Sequence, residues 1–286
     1  MFSGTFNKTR LAPTPSGFLH IGNVFSFALT AAIAKKTGAS ILLRIDDMDR
    51  ERIEPEYLAD IFETLSFLNI PWTEGPKNAD DFETNFSQRH RLAFYEKALK
   101  KLVTTGLIYA CDCSRKQINE QYNGVYPGTC KHKNIPLNTP NVAWRLNTDT
   151  AIVVRLNKTN FVTFPAEMRH FIVRKKDGFP AYQLTSVVDD LHYNVDLVVR
   201  GQDLLPSTLA QLFLAEVLGE TRFGDIYFYH HELLTDSDSR KLSKSAGATS
   251  IKYLRDSKMT AQEIYALVGK QVSLPLAQWE DVKILF

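Results

Sequence analysis

The sequence predicts an α/β fold: a doubly wound parallel sheet carrying an insertion and closed by a short helical segment. Three observations predict it. The first hundred residues alternate β-rich runs with segments of helical apolar spacing, an order that suggests a parallel sheet with helices on its faces. A glycine-containing turn, Pro15-Ser-Gly-Phe-Leu-His-Ile-Gly-Asn23, joins an apolar-flanked run to an amphipathic segment. From Leu107 to about Phe164 the texture changes to short β-like runs, turn residues and clustered cysteines, before the alternation resumes.

Taken in order, Arg10 to Ala12 reads as the end of a short buried strand and residues 24–36 as a helix. Gly38 breaks that pattern before the β-rich run from Ser40 to Ile45. Apolar residues at 58, 61, 62, 65 and 68 give the helical spacing of 56–68. A further amphipathic helix covers 88–105 and is closed by Gly106. After Phe171 come a helix around Val187, a strand over 196–199, a helix over 206–218 and a strand over 226–230. Ile251, Leu254, Ile264 and Leu267 then mark small helices, with no room expected after them for another sizeable domain. The expected division is 1–106 and 165–248 for the two halves of the sheet domain, 107–164 for the insertion, and 249–286 for the helical segment.

A chain of 286 residues with 44% hydrophobic content and aromatics throughout can bury a sizeable core. Its net charge of +2 is nearly neutral, so composition alone does not announce a nucleic-acid binder. Arg169, Arg174, Lys175 and Lys176 form a local basic stretch, readable equally as a binding face or as a solvated strand and turn. No apolar run approaches membrane-spanning length and no signal-peptide core opens the chain, so a cytoplasmic location is expected; a monomer is expected as well. Cys111, Cys113 and Cys130 fall within twenty residues. An odd, clustered set points to metal more than to disulfides, against the plainer reading of ordinary buried thiols. Three thiolates need one more ligand to close a structural zinc tetrahedron, and His132 is the chemically commoner candidate.

A strand, a glycine turn and a helix start present backbone N–H groups and a positive dipole end to phosphate. Far along the chain, Lys241-Leu-Ser-Lys-Ser245 puts two lysines and two serines in five residues, a loop able to hold a polyphosphate. Together the two stretches resemble the HIGH and KMSKS signatures of class I aminoacyl-tRNA synthetases. With Arg10-Leu-Ala-Pro-Thr-Pro-Ser-Gly17, Leu43-Arg-Ile-Asp-Asp-Met-Asp49 and Val198-Val-Arg-Gly-Gln-Asp-Leu204, the chain resembles the glutamyl branch over nearly its whole length. Its shortness and the element Tyr126-Pro-Gly-Thr-Cys130 are similar to the truncated glutamyl-queuosine tRNA(Asp) synthetase family.

The resemblance implies a Rossmann-like core that activates glutamate with ATP and Mg²⁺, then transfers it to the queuosine base of tRNA(Asp). His20 and Asn23 are then expected to donate to phosphate oxygens, with Gly22 allowing close approach of the nucleotide. Lys244, assisted by Lys241, is expected to neutralise the leaving pyrophosphate. Arg10 and Arg200 are placed at the amino acid, where a guanidinium donates to a carboxylate bidentately and leaves an amide poorly satisfied; Tyr182 forms a wall, and Ala12 and Thr14 line the turn. Asp46 stands where the family usually has a glutamate for the substrate ammonium, one methylene shorter. The signature also ends in Asn23 instead of histidine. The family supplies Tyr126 as the fourth zinc ligand, leaving His132 as the alternative. Asp189 and Asp190 read as packing and capping residues. Two other functions stay open: charging a tRNA 3′ end, and a tRNA-binding paralogue without catalysis.

Overall fold

Short β-branched and leucine-rich runs bounded by polar turns build the framework. A computed structural model describes residues 4–234 and 250–282. Strand β1 (Lys8–Leu11) pairs in parallel with β2 (Ser40–Leu43), in register from Lys8 opposite Ser40 to Leu11 opposite Leu43. Helix α1 (Ile21–Thr37) is the crossover between them, and Gly38 ends it in the left-handed conformation at φ 79°. Strand β8 (Leu197–Gly201) lies along β1, where the Asp196 N–H donates to the Lys8 carbonyl at 3.0 Å. The Asp196 carboxylate in turn accepts from the backbone N–H groups of Asn7 and Lys8. Strand β9 (Tyr227–His231) pairs with β8.

The chain divides into two compact units. The first comprises Met1–His90, Val195–Gln202 and Tyr229–Phe286. Its core joins α1 to α2 (Pro55–Phe67), and also takes in the helices near the chain end, α8 (Ile251–Asp256) and α9 (Ala261–Val272). Ile251, Ile264, Tyr265, Val268 and Trp279 are buried among Ile33, Leu65 and Leu68. The Tyr265 hydroxyl donates to the Leu68 carbonyl at 2.8 Å, and Arg255 pairs with Asp60 and Glu63 on α2. The single turn α3 (Ala79–Asp81) is capped by Asn78.

The second unit comprises Arg91–Asn194 and Asp203–Phe228. Here α4 (Leu92–Thr104) leads to an antiparallel sheet of β3 (Ile108–Cys111), β4 (Ala143–Leu146) and β7 (Ile172–Arg174), with α5 (Arg115–Tyr122) following β3. Strands β5 (Val153–Leu156) and β6 (Asn160–Thr163) form a hairpin, and α6 (Tyr182–His192) packs with α7 (Leu205–Val217). Asp189 is fully buried on α6, held by the Arg91 guanidinium at 2.8 and 3.1 Å and by the Tyr95 hydroxyl at 2.7 Å. Asp189 is thus a packing residue, as its segment suggested; its neighbour Asp190 is buried too.

The strands among the described residues fall into four sheets of two or three strands, with β1–β2 a parallel pair. One expectation changes. The helix expected over 88–105 begins as a 3₁₀ turn, Gln88–Arg91, and becomes α-helical only from Leu92. Its start is captured by buried Asp47, which accepts from the Ser87 hydroxyl at 2.6 Å and the Gln88 N–H at 2.7 Å. A side chain forty residues away therefore sets the local backbone, which periodicity could not register.

Candidate active site and metal centre

The turn after β1 delivers the chain to the start of α1, where His20 is the N-cap residue. Its Nδ1 accepts from the Gly22 N–H at 3.1 Å, and the Asn23 side-chain oxygen accepts from the His20 N–H at 3.0 Å. The reciprocal pair forms a capping box, usually built from serine or threonine with glutamate or glutamine. A Cβ on Gly22 would meet the imidazole at 3.0–3.1 Å, so the glycine leaves room for that ring. The described chain resumes at Ser250, whose backbone bridges His20, while the Ile251 N–H donates to the Leu19 carbonyl at 2.8 Å. Lys241 and Lys244 lie outside the described residues. In the turn itself Ala12 is half-buried and Thr14 exposed, with the Thr14 carbonyl accepting from the Ser16 N–H.

Arg10 on β1 and Arg200 on β8 are 6% and 5% exposed, and Arg10 Nη1 donates to the Val199 carbonyl at 3.4 Å. Beside them, on β9, His230 is held neutral far below the usual histidine range, at about 3. Burial is the largest cause, followed by the positive charge of Arg200, the neighbouring His231, and Arg10. Sequence reasoning passed over His230; the only signal was the His230-His231 doublet at the end of a predicted strand.

Asp46 is brought against the same turn, its N–H donating to the Pro13 carbonyl at 2.9 Å. Its carboxylate is gripped by Arg44 two residues earlier: Nε to Oδ1 at 2.8 Å and Nη2 to Oδ2 at 3.0 Å, both side chains buried. Both oxygens therefore carry a guanidinium bond, and the pair is neutral as a whole. Arg44 was not singled out in the sequence, although an Arg two residues before an Asp beyond a strand end was there to be read. Tyr182 opens α6 in the second unit and is 43% exposed.

In the second unit, β3 ends at Cys111 and the loop after it returns Cys130, so that the three sulfurs lie within 4.8 Å of one another. Cys113 and Cys130 Sγ are 3.4 Å apart, near the ~3.8 Å edge of a tetrahedron with metal–sulfur bonds of about 2.3 Å. The Tyr126 hydroxyl accepts the Cys130 N–H at 2.8 Å and also bonds toward the Cys111 sulfur, so it stands at the cluster. His132 is exposed and is not one of the converging donors. Burial opposes ionisation of Cys111, but the Tyr126 hydroxyl and the Arg145 guanidinium outweigh it and hold the thiol below its ordinary value. Cys113 is pushed up to about 11 by burial and its bond to Cys130. Arg145 stacks 3.9 Å above the Tyr126 ring, and its charge offsets the excess negative charge three thiolates would leave around a divalent ion. The donor set fits zinc. Of the basic stretch, Lys175 pairs with Asp177, Lys176 donates to the Asp112 carbonyl, and Arg174 covers Trp144.

Residues 7–272 match the model of the catalytic domain of class I tRNA synthetases (E and Q). Similar curated proteins include a glutamyl-Q tRNA(Asp) synthetase of Pseudomonas fluorescens, 36% identical over 82% of this chain and 75% of that protein. Another is a glutamate–tRNA ligase of Coprothermobacter proteolyticus, 31% identical over 93% of this chain and 59% of the relative. Among solved structures, a glutamate-tRNA synthetase from Elizabethkingia anophelis superposes with a TM-score of 0.69 at 22% identity, over 84% of this chain and 52% of that one. That likeness shows the class I catalytic-domain α/β fold. No helix among the described residues is long and apolar enough to cross a membrane.

Proposed function

This chain belongs to the catalytic-domain family of class I tRNA synthetases for glutamate and glutamine, and from that premise we propose that it adenylates glutamate with ATP and transfers it to the queuosine base of tRNA(Asp). As a ligase of the aminoacyl-tRNA synthetase type it has glutamate, ATP and tRNA as its partners. The observation that carries the choice of an acidic amino acid is the placing of Arg10 and Arg200, both buried, on adjoining strands beside the α1 start. Two buried guanidiniums favour a substrate carboxylate, and the helix start favours the triphosphate. On this reading the order β2-β1-β8-β9 is the centre of a doubly wound sheet, interrupted by residues 107–164. His20, Gly22 and Asn23 serve the phosphates, Asp46 the ammonium, and Tyr182, Ala12 and Thr14 the remaining faces of glutamate. Lys241 and Lys244 offset charge on the leaving pyrophosphate, Mg²⁺ accompanies ATP, and Cys111, Cys113, Cys130 and Tyr126 hold a structural zinc.

Glutamate-dependent ATP–pyrophosphate exchange tests the first step, and Lys244→Ala is expected to slow it about 10²–10³-fold. Exchange at the wild-type rate in that variant removes the lysine run from the mechanism. Nuclease mapping of labelled glutamate on tRNA tests the second step. Label on the anticodon base supports the proposal. Label on the 3′ terminal nucleoside supports ordinary charging instead, the reading favoured by the 93% overlap with a glutamate–tRNA ligase.

A further inference from the structure

The antiparallel sheet of the second unit buries a cation that no carboxylate answers. Arg145 on β4 is paired with Tyr109 on β3, and Ala143 with Cys111. Tyr109 and Cys111 are two residues apart and share a face of β3, so Arg145 stands diagonal to Cys111, within reach of a long side chain. Arg145 is buried, at 6% exposure. Its Nη1 donates to the His170 carbonyl at 2.7 Å, and its guanidinium lies 3.9 Å over the Tyr126 ring. Its Nε is buried without a hydrogen-bond partner. The lysines beside the cysteines are answered, Lys131 by Asp149 and Lys133 by Asp112. Among the described residues, no aspartate or glutamate pairs with Arg145.

A buried charge is costly unless an opposite charge compensates it. The face of the Tyr126 ring offsets part of that cost. The cysteines can supply the rest. Three thiolates around a divalent ion leave one net negative charge, and a phenolate ligand from Tyr126 would add a second. That charge falls beside the ring over which Arg145 lies. The arginine is anchored from the same side. His170, whose carbonyl holds it, packs its ring under Gly128 in the loop between Tyr126 and Cys130, where a Cβ would meet Nε2 at 2.9 Å. Gly128 also adopts φ 89°, so the loop passes over the imidazole only as glycine allows.

We propose that Arg145 and an anionic metal cluster at Cys111, Cys113, Cys130 and Tyr126 are each other's counter-ions, so that this arginine tightens the hold on the divalent ion and is a cost to the metal-free fold. The inference rests on the zinc reading and adds to it the residue that links metal to stability. A purely structural arginine supports the fold equally with and without metal, whereas a counter-ion does so only with it. Zinc affinity is measured by competition with a chromogenic chelator, and melting temperature on zinc-stripped and zinc-loaded protein, for the wild type, Arg145→Met and Arg145→Lys. Arg145→Met is expected to weaken zinc about 10–100-fold, the usual cost of losing a residue that supports the ligands without touching the ion. Stripped of metal, it is expected to melt no lower than the stripped wild type, because an apolar side chain replaces an unanswered charge. Loaded with zinc, it is expected to melt lower, since weaker binding to the folded state stabilises it less. Arg145→Lys, which keeps the charge, is expected to recover most of the affinity. Unchanged zinc affinity in folded Arg145→Met overturns the inference, as does an equal fall in melting temperature with and without metal. If Arg145→Met folds in neither state, Arg145→Gln is read by the same two measurements. A wild type that binds no zinc overturns the metal reading together with this inference.

Discussion

At the scale of single residues, His20 has a structural role as a cap and, on the proposed reading, a chemical one as well. Its imidazole caps α1, and the same ring stands where a triphosphate would meet the helix dipole. His20→Asn separates the two, because asparagine is among the best N-caps. The variant is expected to keep its melting temperature within about 2 °C, since a cap is worth about 1 kcal/mol, while exchange falls about 10²-fold. Equal activity would leave His20 as a cap alone. Asp46 poses the opposite case, since its carboxylate already serves Arg44 on both oxygens. Asp46→Asn is expected to raise the glutamate KM about ten- to a hundredfold, the equivalent of 1–3 kcal/mol for a charged hydrogen bond, with little change for ATP. An unchanged glutamate dependence would make Asp46 the partner of Arg44 and nothing more. His230 gives a pH signature. Its folded pKa of about 3 lies below the unfolded value of about 6.5, so the unfolded chain binds the proton first. The stability it permits is complete above pH 6.5 and is lost as pH falls toward 3. Comparing melting temperatures at pH 7 and pH 4, His230→Gln is expected to lose less on acidification than the wild type does.

At the scale of elements, most of the helices and strands were legible from periodicity, and the exceptions have physical causes. Residues 182–192, 205–217 and 227–231 formed within a few positions of expectation, although only 205–217 buries a mainly apolar face, while the buried side of 182–192 is largely polar. The segment 88–105 broke where Asp47 holds Ser87 and Gln88, a tie made across forty residues and invisible to any local window. The candidate site was legible at Arg10, Arg200, His20 and the cysteines, whose residue types carry chemistry by themselves. Arg44, Arg145 and His230 were missed because their roles arise from what folds against them. In the insertion, the converging thiols and Tyr126 are expected to bring down about one zinc per chain, as a closed four-ligand site would. Elemental analysis checks this. Cys113→Ser and Tyr126→Phe are both expected to lower occupancy, with His132→Ala leaving it unchanged. Zinc lost only from the His132 variant would transfer the fourth ligand to that residue.

At the scale of the whole molecule, the sequence marked 249–286 as a short helical segment, and the packing shows what its helices hold on to. The residues of α8 and α9 lie inside the first unit's core, tied to α2 through Arg255, Asp60 and Glu63 and to the helix end at Leu68 through Tyr265. Apolar spacing identified those helices but gave no direction to their apolar face. The backbone bridge between Ser250 and His20, with the Ile251 bond to Leu19, adds a stitch that owes nothing to covalent continuity. Cutting the chain just before it should therefore give a two-piece protein in place of a truncated one. With a protease site engineered between residues 240 and 241, the cleaved product is expected to run as two bands on a denaturing gel and elute as one species from a sizing column. Separately expressed halves should likewise find each other on mixing, as complementing fragments do. Elution of the short piece by itself would mean that the stitch and the shared core are too weak to hold without the intact chain.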